Sequence, residues 1–208
     1  MPPDTLLPVL APWLDLAGLA VFAASGALAA ARRAQTMVTL IFFALVAGVG
    51  GGTVRDLLIG APVFWIVDSR AAAVCLSVAV VIWVTPERWW RGAALDWFDA
   101  VGLAAYAVYG AAKSLDYGVP PVPAFVLGVV SACVGGIIRD VLAGEPSILM
   151  RPELYVTAAA LASALFVGLT LAGMVGPAAA VIAATAGFAL RAAAIRWRIH
   201  LPAYRGRR

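Results

Sequence analysis

The sequence predicts an all-α polytopic membrane protein with seven transmembrane helices, arranged as two inverted three-helix repeats plus a seventh helix. Composition is the first reason: 63% of the 208 residues are hydrophobic and 12% are charged, whereas soluble domains carry about 25% charged residues. The second reason is the presence of seven separate apolar segments, and the third is a glycine, arginine and aspartate pattern that occurs twice. A single water-soluble domain is therefore excluded.

The seven segments have the length of membrane helices, which need about 20 apolar residues each. The first is expected to remain as a membrane helix, because the residues before it carry Asp4 and no basic residue, unlike a cleaved signal peptide. We expect helices over residues 13–31, 37–59, 70–85, 96–113, 122–143, 153–172 and 176–196. The chain is thus a single membrane domain over residues 1–208, with a first three-helix repeat at 13–85, a second at 96–172, a seventh helix at 176–199 and a basic cytoplasmic tail at 200–208.

Lysine and arginine predict the orientation, because they concentrate on the cytoplasmic side of membrane proteins. Alternate loops differ: one side receives Arg70 and Lys113 and little else, whereas the other receives the remaining loop arginines and the tail. A nucleic-acid-binding arm is a weaker interpretation of the tail, since no soluble fold or aromatic platform accompanies it. We therefore expect an outside N-terminus, a cytoplasmic C-terminus and no nucleic-acid partner. The cytoplasmic set contains Arg32, Arg33, Arg88, Arg91, Arg151 and the tail arginines.

The first and fourth predicted helices share a sequence pattern. Leu14–Ala27 reads LDLAGLAVFAASGA and Phe98–Ala111 reads FDAVGLAAYAVYGA, an offset of 84 residues. The same offset relates the motif GGxxRDxLxGxP in the second helix to its copy in the fifth. Since each unit crosses the membrane three times, the second copy enters from the opposite face, as in the inverted repeats of many transport proteins. The seventh helix lies outside the repeat and is expected to serve packing, orientation or oligomerisation.

Glycines interrupt the second and fifth predicted helices near the middle of their apolar segments. A glycine in a helix interior costs about 1 kcal/mol relative to alanine, so a run of glycines predicts a kink or break. Irregular backbone at membrane depth is tolerated where it is buried in protein or lines a wet cavity. We therefore predict that both helices are broken and that the breaks line a permeation path. The kink residues are Gly50, Gly51 and Gly52 in the second helix and Gly135 and Gly136 in the fifth.

The ends of broken helices would offer partial charges of both signs to a permeant ion. Carbonyl groups near residues 47–50 and 131–134 would attract a cation, whereas N–H groups near Thr53 and Ile137 would favour an anion or a carboxylate. Thr53 and Ser131 are candidates for polar pore residues. The sign of the preferred ion stays open on these residues alone.

An arginine and an aspartate follow each glycine run: Arg55 and Asp56 in the first repeat, and Arg139 and Asp140 in the second. Charges inside membrane helices are costly and mark functional sites by default, so we expect pore or gate charges here. The alternative is a structural latch, in which arginine and aspartate of different repeats pair across the pseudo-axis. A capping pattern that begins at Thr53 accounts only for the first aspartate, because the second repeat has isoleucine at the equivalent position.

Other polar residues carry weaker signals. Asp15 and Asp99 are equivalent acids near helix starts; they are either vestibule charges that concentrate cations or interfacial residues at helix N-termini, and we favour the second. His200 is the only histidine, so neither a metal cluster nor a Ser/His catalytic arrangement is expected. Cys75 and Cys133 lie in apolar segments and predict no disulfide framework. Without a phosphate-binding loop, we expect no nucleotide-driven pump. No nucleophile and base pair emerges, so we expect no enzyme, and we expect no cofactor and no metal.

The motifs GGGTVRDLLIGAP and VGGIIRDVLAGEP, with the seven segments and the 84-residue repeat, resemble the prokaryotic TRIC family, the trimeric intracellular cation channels. The likeness covers about residues 13–198 and extends to bacterial inner-membrane proteins described as glycine transporters. It implies a homotrimer in the bacterial inner membrane, whose protomers each enclose a pore that is kinked at the glycines and conducts K+ and, less selectively, Na+. The resemblance places the two arginine–aspartate pairs along or beside the path. Val134 stands where the first motif has Gly50, so the second kink departs from exact equivalence.

The leading functional hypothesis is a passive, K+-permeable cation channel that also passes Na+. The alternative is a secondary transporter for a small zwitterion such as glycine, with half-helix N-termini and arginines holding the carboxylate. A membrane scaffold without transport is a third class. The expected partners are membrane lipid, other copies of the chain and permeant monovalent cations.

Overall fold

The computed structural model describes residues 7–202 except 91 and 175, with side chains described from residue 16 onward. Within these residues the fold is all-helical, apart from an isolated β-bridge between Glu153 and His200. A short helix covers Phe64–Val67, and 3-10 turns cover Glu87–Trp89 and Ile148–Met150. The long helices are α1 (Leu7–Arg32), α2 (Met37–Leu58), α3 (Ser69–Val84), α4 (Ala94–Asp116), α5 (Pro121–Leu142), α6 (Val156–Leu171) and α7 (Pro177–Trp197).

The long helices occupy the seven predicted segments, and their ends have local causes. α5 and α7 begin at prolines, which suit the first helical position because it needs no N–H donor. Gly60 and Gly144 follow α2 and α5 with φ angles of 68° and 67°, the left-handed conformation that commonly ends a helix. In both cases the next N–H donates to the carbonyl of the motif aspartate at 2.9 Å. The repeated motif therefore includes its own helix terminator.

Helix contacts follow the repeat. α1 packs on α2 and α3, and α2 packs on α3; the equivalent helices α4, α5 and α6 make the same three contacts. The two units meet where α1 packs on α4 and where α2 packs on α5. Each pair consists of equivalent helices from the two repeats, so a two-fold axis between the units would exchange the two helices of each pair. α7 packs against α4 and α6 and so lies beside the second unit. The contact pattern is that of two like three-helix units with one added helix.

α2 and α5 cross where their glycines lie. A Cβ atom on Gly51 would overlap the carbonyl oxygen of Ser131, and a Cβ atom on Gly135 would overlap that of Ala47. Gly51 and Gly135 are 84 residues apart, and so are Ala47 and Ser131, so equivalent residues of the two repeats make the same contact. Because residue numbers rise along one helix as they fall along the other, the two helices run antiparallel at the crossing.

Both helices are continuous through these glycines, so the predicted breaks are absent. The missing side chains instead allow the two backbones to touch, and this packing compensates for the low helix propensity of glycine. Since no half-helix ends exist here, the carbonyl and N–H groups expected to meet an ion lie within continuous helix. The other glycines also face packed atoms: an added Cβ would lie 3.1 Å from Ile138 Cδ1 at Gly50, 2.6 Å from Phe64 Cε1 at Gly52 and 2.7 Å from Tyr155 Oη at Gly136.

The described residues contain three helices that are long and apolar enough to cross a membrane, namely α2, α5 and α7. α3 and α6 are apolar with 16 residues each, whereas α4 has 23 residues and carries four charges. The outer surface is itself apolar, as expected of a protein in lipid. Exposed large side chains include Phe42, Val80, Val126 and Val181.

Candidate functional site

Each repeat folds its arginine onto the aspartate that follows. Arg55 Nε donates to Asp56 Oδ1 at 2.9 Å, and its Nη2 lies 2.8 Å from the same oxygen. Arg139 makes the same two contacts with Asp140 Oδ1, at 2.9 and 2.8 Å. The two arginines are 0% and 1% exposed. Because each pair forms within one repeat, the alternative of a latch between arginine and aspartate of different repeats is wrong.

The two pairs lie on opposite sides of the α2–α5 crossing. Arg55 follows the contact glycine Gly51 by four positions, and Arg139 follows Gly135 by four. Since the helices are antiparallel and rise about 1.5 Å per residue, the two aspartates are about 20 Å apart along the bundle. We call the Arg55–Asp56 pair with its neighbours the first site and the Arg139–Asp140 pair with its neighbours the second site.

The other carboxylate oxygen of each aspartate holds the chain beyond the helix. Asp56 Oδ2 accepts a hydrogen bond from the backbone N–H of Phe64 at 3.1 Å, and Asp140 Oδ2 accepts one from Ile148 at 2.9 Å. Phe64 and Ile148 are also 84 positions apart. Both aspartates thus neutralise an arginine and anchor a loop, which a capping role beginning at Thr53 does not explain.

The first site gains a second cation from the other repeat. Lys113 Nζ on α4 donates to Asp56 Oδ1 at 2.8 Å. The Arg55 guanidinium carbon lies 5.0 Å from the centre of the Tyr109 ring, within the range of a cation–π contact. The described side chains therefore give the first site two cations against one carboxylate, a formal charge of +1.

The second site gains an acid instead. Arg139 Nη1 pairs with Asp99 on α4 and also donates to the Ser25 hydroxyl on α1. Asp99 is 1% exposed, so its interpretation as an interfacial helix-start residue is wrong, because the buried guanidinium holds it inside the bundle. The equivalent Asp15 lies outside the described side chains. Arg139, Asp99 and Asp140 together carry a formal charge of −1.

Sequence reasoning missed three contacting residues. Ser25 and Tyr109 are 84 positions apart, and each contacts the motif arginine of the other repeat. The offset could have identified this pair, since both positions fall in the matched segments of the first and fourth helices. Lys113 was expected in a loop but lies on α4, and its equivalent is Ala29. The repeat therefore carries no signal for Lys113.

The two polar pore candidates donate their hydroxyl hydrogens to carbonyls of their own helices. Thr53 Oγ1 donates to the Val49 carbonyl at 2.7 Å and accepts from Trp65 Nε1 at 2.9 Å. Ser131 Oγ donates to the Leu127 carbonyl at 2.7 Å. As pore-lining groups both remain predictions.

A cavity of about 260 Å³ reaches the second site from the protein surface. At its mouth an ion pair joins Arg33 to Glu145, both nearly half exposed. The inner wall is formed by Arg139 and Asp140. Other charged lining residues are Arg32, Asp96 and Arg151.

Two like three-helix units, each with a buried arginine–aspartate pair, define a class of helical membrane protein with an internally repeated fold. A family model described as Glycine transporter matches residues 12–87 and 96–171. A UPF0126 membrane protein of Vibrio cholerae is 36% identical over 197 residues, covering 92% of this chain and 81% of the relative. The UPF0126 inner membrane protein YadS of Escherichia coli K12 is 36% identical over 203 residues, covering 92% of this chain and 95% of the relative.

A solved structure extends the comparison. The TRIC trimeric intracellular cation channel orthologue from Rhodobacter sphaeroides has 39% identity and a TM-score of 0.86, covering 92% of this chain and 100% of that one. This chain belongs to the TRIC family, which here coincides with the family described as glycine transporters. The solved relatives are channels, which are not enzymes, so the expectation of a non-enzymatic membrane protein is confirmed.

Proposed function

We propose that this protein is a passive cation channel of the bacterial inner membrane, permeable to K+ and also to Na+, with one pore in each protomer of a homotrimer. The observation that carries the proposal is the burial of an arginine–aspartate pair on each side of the α2–α5 crossing. Buried charges in membrane helices mark ion and substrate pathways. A relative named as a trimeric cation channel supports the same function.

The second site favours cations. It is reached by the cavity, and its two carboxylates exceed its one guanidinium. Charge of one sign in a cleft with low-dielectric walls focuses the field and raises the local concentration of counter-ions. A cation that enters through the cavity first passes an outer lining of three arginines and two acids and then meets the net negative second site.

The proposed pore is closed between α2 and α5 in this conformation. Gly51 and Gly135 bring the two backbones into contact, which leaves no space between them for an ion. Conduction along this route requires the helices to separate at the crossing. The second site would then connect to the first, about 20 Å away along the bundle.

All seven long helices cross the bilayer in the proposed topology, with the N-terminus outside and the C-terminus in the cytoplasm. The two 16-residue helices are shorter than the hydrocarbon layer of the bilayer. Local thinning of the bilayer or tilt of the neighbouring helices compensates for this difference in length. The cavity then opens to the cytoplasm, because Arg32, Arg33 and Arg151 line it and arginines concentrate on that side.

A glycine carrier is the second candidate, and one observation favours it. Arg55 Nη1 is buried and has no hydrogen-bond partner among the described residues. A guanidinium nitrogen without a partner among the described residues is a group that a substrate carboxylate could satisfy. The family model described as Glycine transporter agrees with this alternative.

Purified protein in liposomes separates these candidates. A channel releases entrapped K+ down its gradient and does not accumulate labelled glycine, and protein-free liposomes serve as the control. Saturable glycine uptake without K+ release would favour the carrier. Vesicles that are inactive in both assays would contradict both functions and favour a scaffold.

A further inference from the structure

α7 lies outside the repeat but carries a buried charge into the second unit. Arg191 on α7 is 1% exposed. Its Nη2 pairs with Glu153 Oε2 at 2.8 Å, and its guanidinium carbon lies 5.3 Å from the centre of the Tyr155 ring. Arg191 therefore contacts two residues, Glu153 and Tyr155, of the short segment that precedes α6.

Tyr155 in turn covers the second site. A Cβ atom on Gly136 would lie 2.7 Å from Tyr155 Oη, 3.3 Å from Asp99 Oδ1 and 3.6 Å from Arg139 Nη2. The tyrosine hydroxyl, the carboxylate and the guanidinium thus converge on one glycine of α5. Tyr155 itself is 1% exposed, so its ring fills the space between α7 and the second site.

The first unit has no such arrangement. The positions equivalent to Gly136 and Tyr155 are Gly52 and Ala71. Gly52 is covered by the Phe64 ring instead, and alanine at position 71 has no side chain that could reach it. The contact between Arg191 and Tyr155 is therefore a property of the second unit alone and depends on α7.

Unpaired polar atoms concentrate at the same junction. Among the described residues, the buried side-chain atoms without a hydrogen-bond partner include Arg191 Nε and Nη1, whereas the Tyr155 hydroxyl interacts with the Asp99 carboxylate. Each such atom costs about 1–3 kcal/mol when it stays unpaired. Water that reached this junction would satisfy the two Arg191 nitrogens.

We propose that Arg191 positions Tyr155 as a stop over Gly136, so that α7 controls the passage of water and cations from the cavity, beyond Arg139 and Asp140, to Asp99. This inference rests on the proposed channel function and adds a positioning residue to it. Loss of the Arg191 guanidinium would free Tyr155 and open the second site while leaving the first site as it is. Arg191→Lys keeps a cation for Glu153 and the tyrosine ring, and so should restore part of the restraint.

The native cysteines report on the two units within one molecule. Cys133 lies on α5, three residues before Gly136, and packs in the same buried cluster as Tyr155. Cys75 lies on α3 in the first unit and is 0% exposed. The rate at which N-ethylmaleimide labels each cysteine, measured by peptide mass spectrometry on the folded protein, compares local opening with general loosening.

We expect Arg191→Met to accelerate labelling of Cys133 about tenfold with Cys75 unchanged, and Arg191→Lys to reverse most of that acceleration. The matched control is Arg196→Met, an exposed arginine on the same helix, which should change neither rate. Equal acceleration at both cysteines, or none at Cys133, would overturn the inference. If Arg191→Met does not fold, Glu153→Gln, which removes the anchor of Arg191 at a partly exposed position, should give the same selective acceleration.

Bilayer recordings distinguish this inference from the channel proposal. Where the wild-type protein conducts, Arg191→Met should raise the open probability. A silent wild-type protein whose Cys133 is still exposed by Arg191→Met would refute the channel and retain the positioning role.

Discussion

Arg139 is the residue on which the second site depends. Its guanidinium contacts Asp99, Asp140 and the Ser25 hydroxyl, so residues from α1, α4 and α5 meet on one side chain. Without this guanidinium, the carboxylates of Asp99 and Asp140 would be buried with no cation in contact with them among the described residues. The burial of this arginine is therefore a consequence of charge balance as well as of packing.

Arg139→Met should destabilise the protein strongly. Removing one partner of a buried ion pair costs about 3–5 kcal/mol, which corresponds to a melting temperature lower by roughly 6–20 °C for a chain of this size. Thermal unfolding in detergent measures the change. The double variant Arg139→Met/Asp99→Asn should recover part of the loss, because it removes one of the stranded carboxylates.

Arg196→Met serves as the matched control for this prediction, since Arg196 is exposed on α7 and has the same side chain. Its melting temperature should stay at the wild-type value. If Arg139→Met has the same melting temperature as the control, the stability of the protein does not depend on the charge that Arg139 brings to Asp99 and Asp140.

Sequence reasoning reached the motif residues but not their partners. The repeated spacing identified Arg55, Asp56, Arg139 and Asp140 as buried charges, because four charges in apolar helices need an explanation. It did not identify Lys113, whose equivalent Ala29 carries no charge. Which side chains meet depends on the rotation of α4 against α2 and α5, and a single sequence does not contain that angle.

At the scale of elements, the crossing of α2 and α5 decides whether the glycine runs break their helices. Glycine runs within apolar helices are compatible with a break or with close packing of two backbones. The two outcomes differ only in whether a second helix lies against the glycines. The structure places Gly51 against Ser131 and Gly135 against Ala47, so the helices stay continuous, and the predicted breaks were wrong for this reason.

Gly135→Ala should therefore destabilise the protein by about 1–3 kcal/mol, because the added methyl group overlaps a backbone carbonyl that cannot rotate away. Gly168→Ala is the matched control: this glycine lies within α6 and an added Cβ meets no atom within 4 Å. There the substitution should be neutral or stabilising by up to about 1 kcal/mol. Equal melting temperatures for the two variants would contradict the close crossing.

At the scale of the whole molecule, the repeat predicts the common features and not the differences. The all-helical fold, the seven helix positions and the equivalence of the two motifs follow from hydropathy and the 84-residue offset. The positive charge that Lys113 adds to the first site does not, because the equivalent residue Ala29 carries no charge. α7 adds a further difference, since its main contacts are with α4 and α6 of the second unit.

The central claim is that this fold conducts cations, and the reversal potential of single channels tests it most directly. Purified wild-type protein in a planar bilayer, under a gradient of KCl, should show discrete currents that reverse close to the equilibrium potential of K+. The net negative second site gives the physical reason for that sign. Discrete currents that reverse close to the equilibrium potential of Cl−, or membranes that stay silent with correctly folded protein, would contradict it.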